Sequence, residues 1–375
     1  MAYLPYTVIN PYFGYCFRPG LTVRDFLGPR IPAMLIGGDG DESWLDLEPN
    51  EFGLWSRYKF PYEAGDDELV VGIFGGSAAQ WAALQSGPML EQRLSVLLKR
   101  NVRVLNFALG GSKQPQQAQA LSYALHAGQK FDFVLNIDGF NELFFCHGNA
   151  QRGLEPSWPT VHMLDLVRTS INLDFLSPAH IRLLLKAARF REMQERWAAR
   201  GARGGWHGNL SRRVLAWIER RQMELQTAIA NTRQAQQFEM LMLPSPFGRA
   251  IELTPVQQWY RSSRIMRGLC EATGIEYRHI LQPHYTRGDK PYTELEVAMK
   301  AERQSMIDLL RKMEPELNQR RDDLIAEGEY LTDASALFDQ VTEQCYCDSA
   351  GHLTQRGNNL LVDWICTEAF GAGAA

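Results

Sequence analysis

Leu69-Val-Val-Gly-Ile-Phe74 is a short, continuous apolar run that ends abruptly in Gly75-Gly76-Ser77. A run of this length without polar alternation reads as a strand covered on both faces, and such strands belong to parallel sheets flanked by helices. The glycines mark a sharp turn, and helical sequence follows over about 78–100. The unit then recurs. Val102–Phe107 is a second strand-like run, followed by Gly110-Gly111 and a Gln/Ala-rich helical stretch near 114–128. Phe131–Ile137 is a third run, ending in Asp138-Gly139-Phe140-Asn141-Glu142. Strands alternating with helices at this spacing predict βαβ units, and so an α/β fold: a three-layer α/β/α sandwich around a central parallel sheet.

The rhythm breaks after about 150. Residues 150–235 carry helical patterning and no convincing strand, and positions 180–223 hold Lys186 and ten arginines against three glutamates. On helical spacing Ile181, Leu184, Leu185 and Ala188 share one side, which predicts an amphipathic cap or lid packed through that stripe, or a basic face that reads an anionic substrate, partner or membrane surface. The α/β pattern resumes with a strand at 238–243, a helix near 254–272, a strand at 276–281, a charged helical segment over 293–328 and a last amphipathic helix to about Phe370. Residues 1–69, rich in aromatics, Pro and Gly, predict a loop and hairpin appendage. The expected organisation is thus an appendage (1–69), a catalytic α/β domain (70–149 with 236–375) and a basic helical insertion (150–235).

Composition limits the function classes. Among 375 residues, 45% are hydrophobic and 22% charged, with a net charge of −4, which is the profile of a globular protein and not of a nucleic-acid binder working through global positive charge. Met1–Gly20 lacks the basic start and apolar core of a signal peptide, and no run of 18 apolar residues occurs, so a cytoplasmic protein without a transmembrane segment is expected. The six cysteines do not form a disulfide framework, and Cys345-x-Cys347 has no second pair to complete a metal site. Gly37-Gly-Asp-Gly-Asp41 lacks the closing Glu of a calcium loop and reads as a turn. There is no H-E-x-x-H, no P-loop and no G-x-G-x-x-G; neither metal nor cofactor is expected.

Each of the first three strands runs into a loop bearing glycine and a polar group, namely Ser77, Gly111 and Asn141. In a parallel sheet these loops converge at the carboxyl edge, where ligands bind. A serine at a helix start is presented on a sharp turn and sits beside the positive end of the helix dipole, although the same Gly-Gly-Ser also makes a plain N-cap. Asp348-Ser-Ala-Gly-His352 lies near the C-terminus ahead of the final helix.

In this order the four blocks resemble the SGNH (GDSL-like) hydrolase superfamily of bacterial type, over about 70–370 without the insertion. The resemblance implies a flavodoxin-like SGNH fold in which Ser77 is the nucleophile and His352 the general base. It also implies that Gly111, in a block that begins at Asn106, and Asn141 complete an oxyanion hole with the Ser77 N–H. The stretch Leu281-Gln-Pro-His-Tyr and the following Gly288-Asp-Lys-Pro-Tyr-Thr-Glu also look like bacterial members. Three positions depart from the pattern. The orienting acid usually stands three residues before the histidine, where this chain has Ser349, and Asp348 stands four before. Block three ends in Glu142 where Asp is commoner, and block one reads Gly-Gly-Ser where Gly-Asp-Ser is the namesake.

Those residues suit ester cleavage. A free serine hydroxyl is barely nucleophilic, an imidazole titrating near neutrality can take and return its proton, and three N–H donors can hold the oxyanion. The expected function is a serine-dependent ester hydrolase acting through a Ser77 acyl-enzyme on a small-molecule or carbohydrate ester. The alternatives are an O-acyltransferase using the same groups, or a catalytically silent member that only binds. His284, after a strand, is a candidate substrate contact, whereas His126, His162, His180, His207 and His279 have no partners at ligand spacing.

Overall fold

The computed structural model describes residues 54–151, 156–157, 160, 178–201, 205–230 and 254–371. The expected Gly37–Asp41 turn, most of the 1–69 appendage and the expected strand at 238–243 lie outside them. The chain divides into two compact units, residues 1–166 with 249–375 and residues 167–248.

The first unit is an α/β fold around a five-stranded sheet in which every pairing is parallel. Its strands are β1 (Glu68–Gly75), β2 (Asn101–Asn106), β3 (Phe133–Asp138), β4 (Glu276–Leu281) and β5 (Leu331–Asp333), in the order 2-1-3-4-5. That is the order of flavodoxin-like doubly wound sheets. The helices are α1 (Ser77–Leu98), α2 (Gln116–His126), α3 (Phe140–Gln151), α6 (Pro255–Ala272), α7 (Glu294–Ala301), α8 (Gln304–Ala326) and α9 (Gln355–Trp364), the last running into a π turn at Ile365–Ala369.

Alternation along the strands separates the two faces of the sheet. Val71 and Ile73 of β1 join Val104, Leu135 and Ile137 in a core with Leu90 and Leu94 of α1, Ile307 and Leu317 of α8, and Leu361 of α9. The intervening Val70 and Phe74 join Leu105 and Val134 in a second core with Leu121 of α2 and Met266 and Cys270 of α6. Each such side chain taken fully from water contributes about 1.5–3 kcal/mol, so the continuous apolar run of β1 is explained by burial on both faces. Leu54 and Phe60 pack into the second core, and Asn106 Nδ2 donates to the Trp55 carbonyl at 2.8 Å, so the described end of the N-terminal segment is docked on this unit.

Two features differ from expectation. The helical segment 293–328 breaks at Arg303, whose φ of −120° and ψ of 25° leave helical geometry, giving α7 and α8 instead of one helix. The three-residue β5 is too short to show a period in sequence, and it pairs His279–Leu281 with Leu331–Asp333 at the sheet edge.

The second unit, among the described residues, is a pair of helices, α4 (Pro178–Gly201) and α5 (Gly205–Ala230). They meet through the rings of Phe190 and Trp217, 5.6 Å apart, and through a Gln222–Gln194 hydrogen bond of 3.0 Å. The apolar stripe is set slightly differently from the expected one: Ile181, Leu184 and Phe190 are half-buried, while Leu185 and Ala188 face outward with Arg182, Lys186, Arg189 and Arg191. No helix among the described residues is long and apolar enough to cross a membrane.

Candidate active site

Because all five strands run the same way, the loops after β1, β2 and β3 emerge at one edge. The strand order reverses direction between β1 and β3, and a crevice at that switch point is the usual ligand site of such sheets. Ser77 is the first residue of α1, directly after β1, and Asn141 stands in the first turn of α3, directly after β3.

The C-terminal loop reaches the same place. His352 Nε2 lies 2.7 Å from Ser77 Oγ, and His352 Nδ1 lies 2.5 Å from Asp348 Oδ2. The extra residue between Asp348 and His352 is absorbed locally. Asp348 Oδ1 accepts from the N–H groups of Ala350 (2.9 Å) and His352 (3.1 Å), while Cys347 N–H donates to the His352 carbonyl at 2.9 Å. Gly351 turns the chain at φ +84°, a conformation that a side chain resists. A compact loop thereby folds the carboxylate back onto its own histidine. Burial alone would raise the Asp348 pKa, but the His352 hydrogen bond and charge hold it below the usual carboxylate value. Both side chains keep contact with solvent, at 21% exposure for His352 and 16% for Asp348.

The loop after β2 and the Asn141 amide both approach the turn that carries Ser77. Gly110 lies against Ser77: a Cβ built there would stand 3.9 Å from Ser77 Cβ, and its N–H is held by Gln80 Oε1 at 2.7 Å. Gly111 follows at φ +77°. Asn141 is 5% exposed, and its Nδ2 donates one hydrogen to the Ser112 carbonyl at 2.7 Å. The other face of that amide packs on Gly76, where a Cβ would overlap Asn141 Nδ2. Ser77 N–H belongs to the first turn of α1, whose donors have no partner within the helix.

The sequence showed Glu142 only as a departure from a motif, and the structure gives it a definite place. Its Oε1 accepts from Gln114 N–H (3.0 Å) and Gln117 Nε2 (2.9 Å), and its Oε2 from Gly139 N–H (2.8 Å). One fully buried carboxylate therefore ties the loop that carries Gly111 to the loop that carries Asn141. Burial and the neighbouring Asp138 charge push its pKa up, to about 8, against the pull of those backbone donors.

Behind it lies a second buried group. His279 is wholly buried between Asp138, 2.8 Å from Nε2, and Glu329, 2.7 Å from Nδ1, and Trp259 Nε1 donates to Asp138 at 2.7 Å. Burial works against charge on His279, yet the two carboxylates outweigh it and raise the ring pKa to about 10. No sequence signal marks this trio, since its members are 50 and 141 residues apart.

His284, the candidate substrate contact, is only 3% exposed. Its ring stacks on Phe140 at 4.3 Å, and Gly351 covers one edge. The thiols of Cys146, Cys270, Cys345, Cys347 and Cys366 are free, and no group of three or more His, Cys, Asp or Glu side chains among the described residues is placed to hold a metal ion.

A scan against protein-family models finds no match for this chain, and a search of curated proteins finds none either.

Proposed function

We propose that this protein is a serine-dependent ester hydrolase of SGNH (GDSL-like) type. The observation that carries the reading is the continuous chain Ser77–His352–Asp348, with contacts of 2.7 Å and 2.5 Å, standing beside the Asn141 amide at the switch point of the sheet. A ligand-binding role alone would not need a hydroxyl, an imidazole and a carboxylate aligned in this order.

In the proposed reaction the His352 Nε2 takes the Ser77 hydroxyl proton as Oγ bonds to the ester carbonyl carbon. Asp348, accepting from Nδ1, holds the tautomer and offsets the charge of the imidazolium. The carbonyl oxygen becomes an oxyanion facing the N–H groups of Ser77 and Gly111 and the second N–H of Asn141, each such donor typically contributing about 3–4 kcal/mol to the transition state. Collapse breaks the bond to the leaving alcohol, which takes the proton from His352. Water then repeats the sequence on the acyl-enzyme, releasing the acid and regenerating Ser77.

Labelling with an alkyl fluorophosphonate tests the reading. The wild type should become covalently modified with inactivation of esterase activity, and Ser77→Ala should not react. Absence of labelling in the folded wild type would overturn it.

A further inference from the structure

The buried histidine beneath the acid–base loop remains without a role in that reaction. His284 Nδ1 lies 3.0 Å from Thr286 Oγ1 and 3.3 Å from Thr286 N, whose N–H points at it. Nδ1 is therefore the acceptor, and the ring proton sits on Nε2. That nitrogen faces the loop backbone at Ala350 without reaching a full hydrogen bond. Burial holds the ring neutral, with its pKa pushed down to about 3.

Three surfaces meet on this ring. One face stacks on Phe140 at 4.3 Å with 22° between the planes, and Phe140 precedes the oxyanion donor Asn141. Tyr285 packs against it at 4.3 Å, and the Tyr285 hydroxyl donates to the Ser349 carbonyl inside the acid–base loop. The Cδ2–Nε2 edge touches Gly351: a Cβ there would come within 2.6 Å of Cδ2 and 2.7 Å of Nε2. Gly351 is the residue immediately before the base.

Resting on the hydrolase reading above, we propose that His284 is a positioning residue that sets the height of the Asp348–His352 loop over Ser77 and locks it to the segment bearing Asn141. A flat aromatic ring suits this task. It fills the space between Phe140 and Gly351 without rotamer freedom, and its remaining N–H can face a loop carbonyl. Because it is neutral, it adds no charge beneath the imidazolium that His352 becomes. A protonated histidine at this depth would oppose that step.

The test uses the full chain, a small alkyl fluorophosphonate and a p-nitrophenyl ester. In His284→Ala the loop loses its floor, and a displacement near 1 Å at a reacting group costs on the order of 100-fold. Labelling of Ser77 should slow by about 30–100-fold while KM for the ester moves less than about threefold. The low-field NMR resonance of the proton between His352 and Asp348 should shift or broaden in step. His284→Gln, whose amide nitrogen stands where Nε2 stood, should recover part of the loss. If the alanine variant does not fold, as judged by circular dichroism, slowed labelling of the glutamine variant at unchanged KM supports the proposal, and wild-type labelling overturns it. A raised KM with unchanged labelling rate and unchanged low-field resonance would make His284 a substrate contact and overturn the positioning role alone. A folded wild type that does not label at all overturns the hydrolase reading and this proposal with it.

Discussion

Asp348 and His352 face each other across 2.5 Å although three residues stand between them, because the carboxylate binds both the imidazole and the backbone of the loop that separates them. One side chain thus shapes the loop and orients the imidazole. Asp348→Asn keeps the shape but loses the charge. It should cost about 10²–10⁴ in kcat, with the melting temperature lowered by only a few degrees. Near wild-type turnover would reduce the machinery to a Ser77–His352 pair.

Ser77 and His352 should behave as one unit. Each alanine variant should lower kcat by roughly 10³-fold or more, and the double variant should be scarcely worse, since either change removes the same activated nucleophile. Steady-state kinetics of all three variants decide the matter. Losses that multiply would show two independent contributions.

In the proposed reaction Asn141 faces charge that exists only in the transition state. Asn141→Ala should cut kcat by about 10²–10³ with KM nearly constant. An effect confined to KM would move Asn141 from oxyanion stabilisation to substrate binding.

Glu142 should act on the same step from behind. In Glu142→Gln one of the three N–H groups now accepted would meet an amide N–H instead, loosening the joint between the loops of Gly111 and Asn141. A kcat loss of about 10–100-fold at little-changed KM is expected, smaller than that of Asn141→Ala because no donor is removed outright. Unchanged kcat would confine Glu142 to a purely structural role.

The buried His279 makes a prediction about stability. Its folded pKa of about 10 lies above the ordinary value of 6.5, so the native state binds this proton more tightly than the unfolded chain. Its contribution is complete below pH 6.5 and is lost as pH rises through 10. Glu142, raised from 4.5 to about 8, adds a loss of the same sign between those two values. Urea denaturation should therefore show stability declining on the alkaline side from neutrality to pH 10. His279→Gln should remove the part of the slope near pH 8, below the range in which the thiols of Cys146, Cys270, Cys345, Cys347 and Cys366, all pushed up by burial, add their own loss. It should also cost about 3–5 kcal/mol near neutrality, since it leaves two buried carboxylates without their cation. A slope near pH 8 that is unchanged in the variant would place its origin elsewhere.

How far the sequence disclosed the molecule depends on distance along the chain. The parallel sheet was legible because each strand carries its own apolar run and each turn its own glycines, as in Leu69–Ser77. Ser77, Gly111, Asn141 and His352 could be singled out because each sits in a short motif, and the structure brings Ser77 and His352 together across 275 residues. The Asp348 contact needed the closure of a loop whose shape no spacing rule states. Glu142 could be seen but not understood, since two of its partners, the Gln114 N–H and the Gln117 side-chain amide, lie 28 and 25 residues away. His284 announced itself by following a strand, yet its burial depends on Phe140 and Gly351, which only the fold brings to it.

Gly76 carries no functional group, yet Asn141 can occupy its place only because position 76 has no Cβ. In a saturation scan scored by turnover, substitutions at this glycine should lower activity by displacing the Asn141 amide, although none of them removes a reactive group. A search for the site guided by reactive side chains would pass over it, because what position 76 supplies is room.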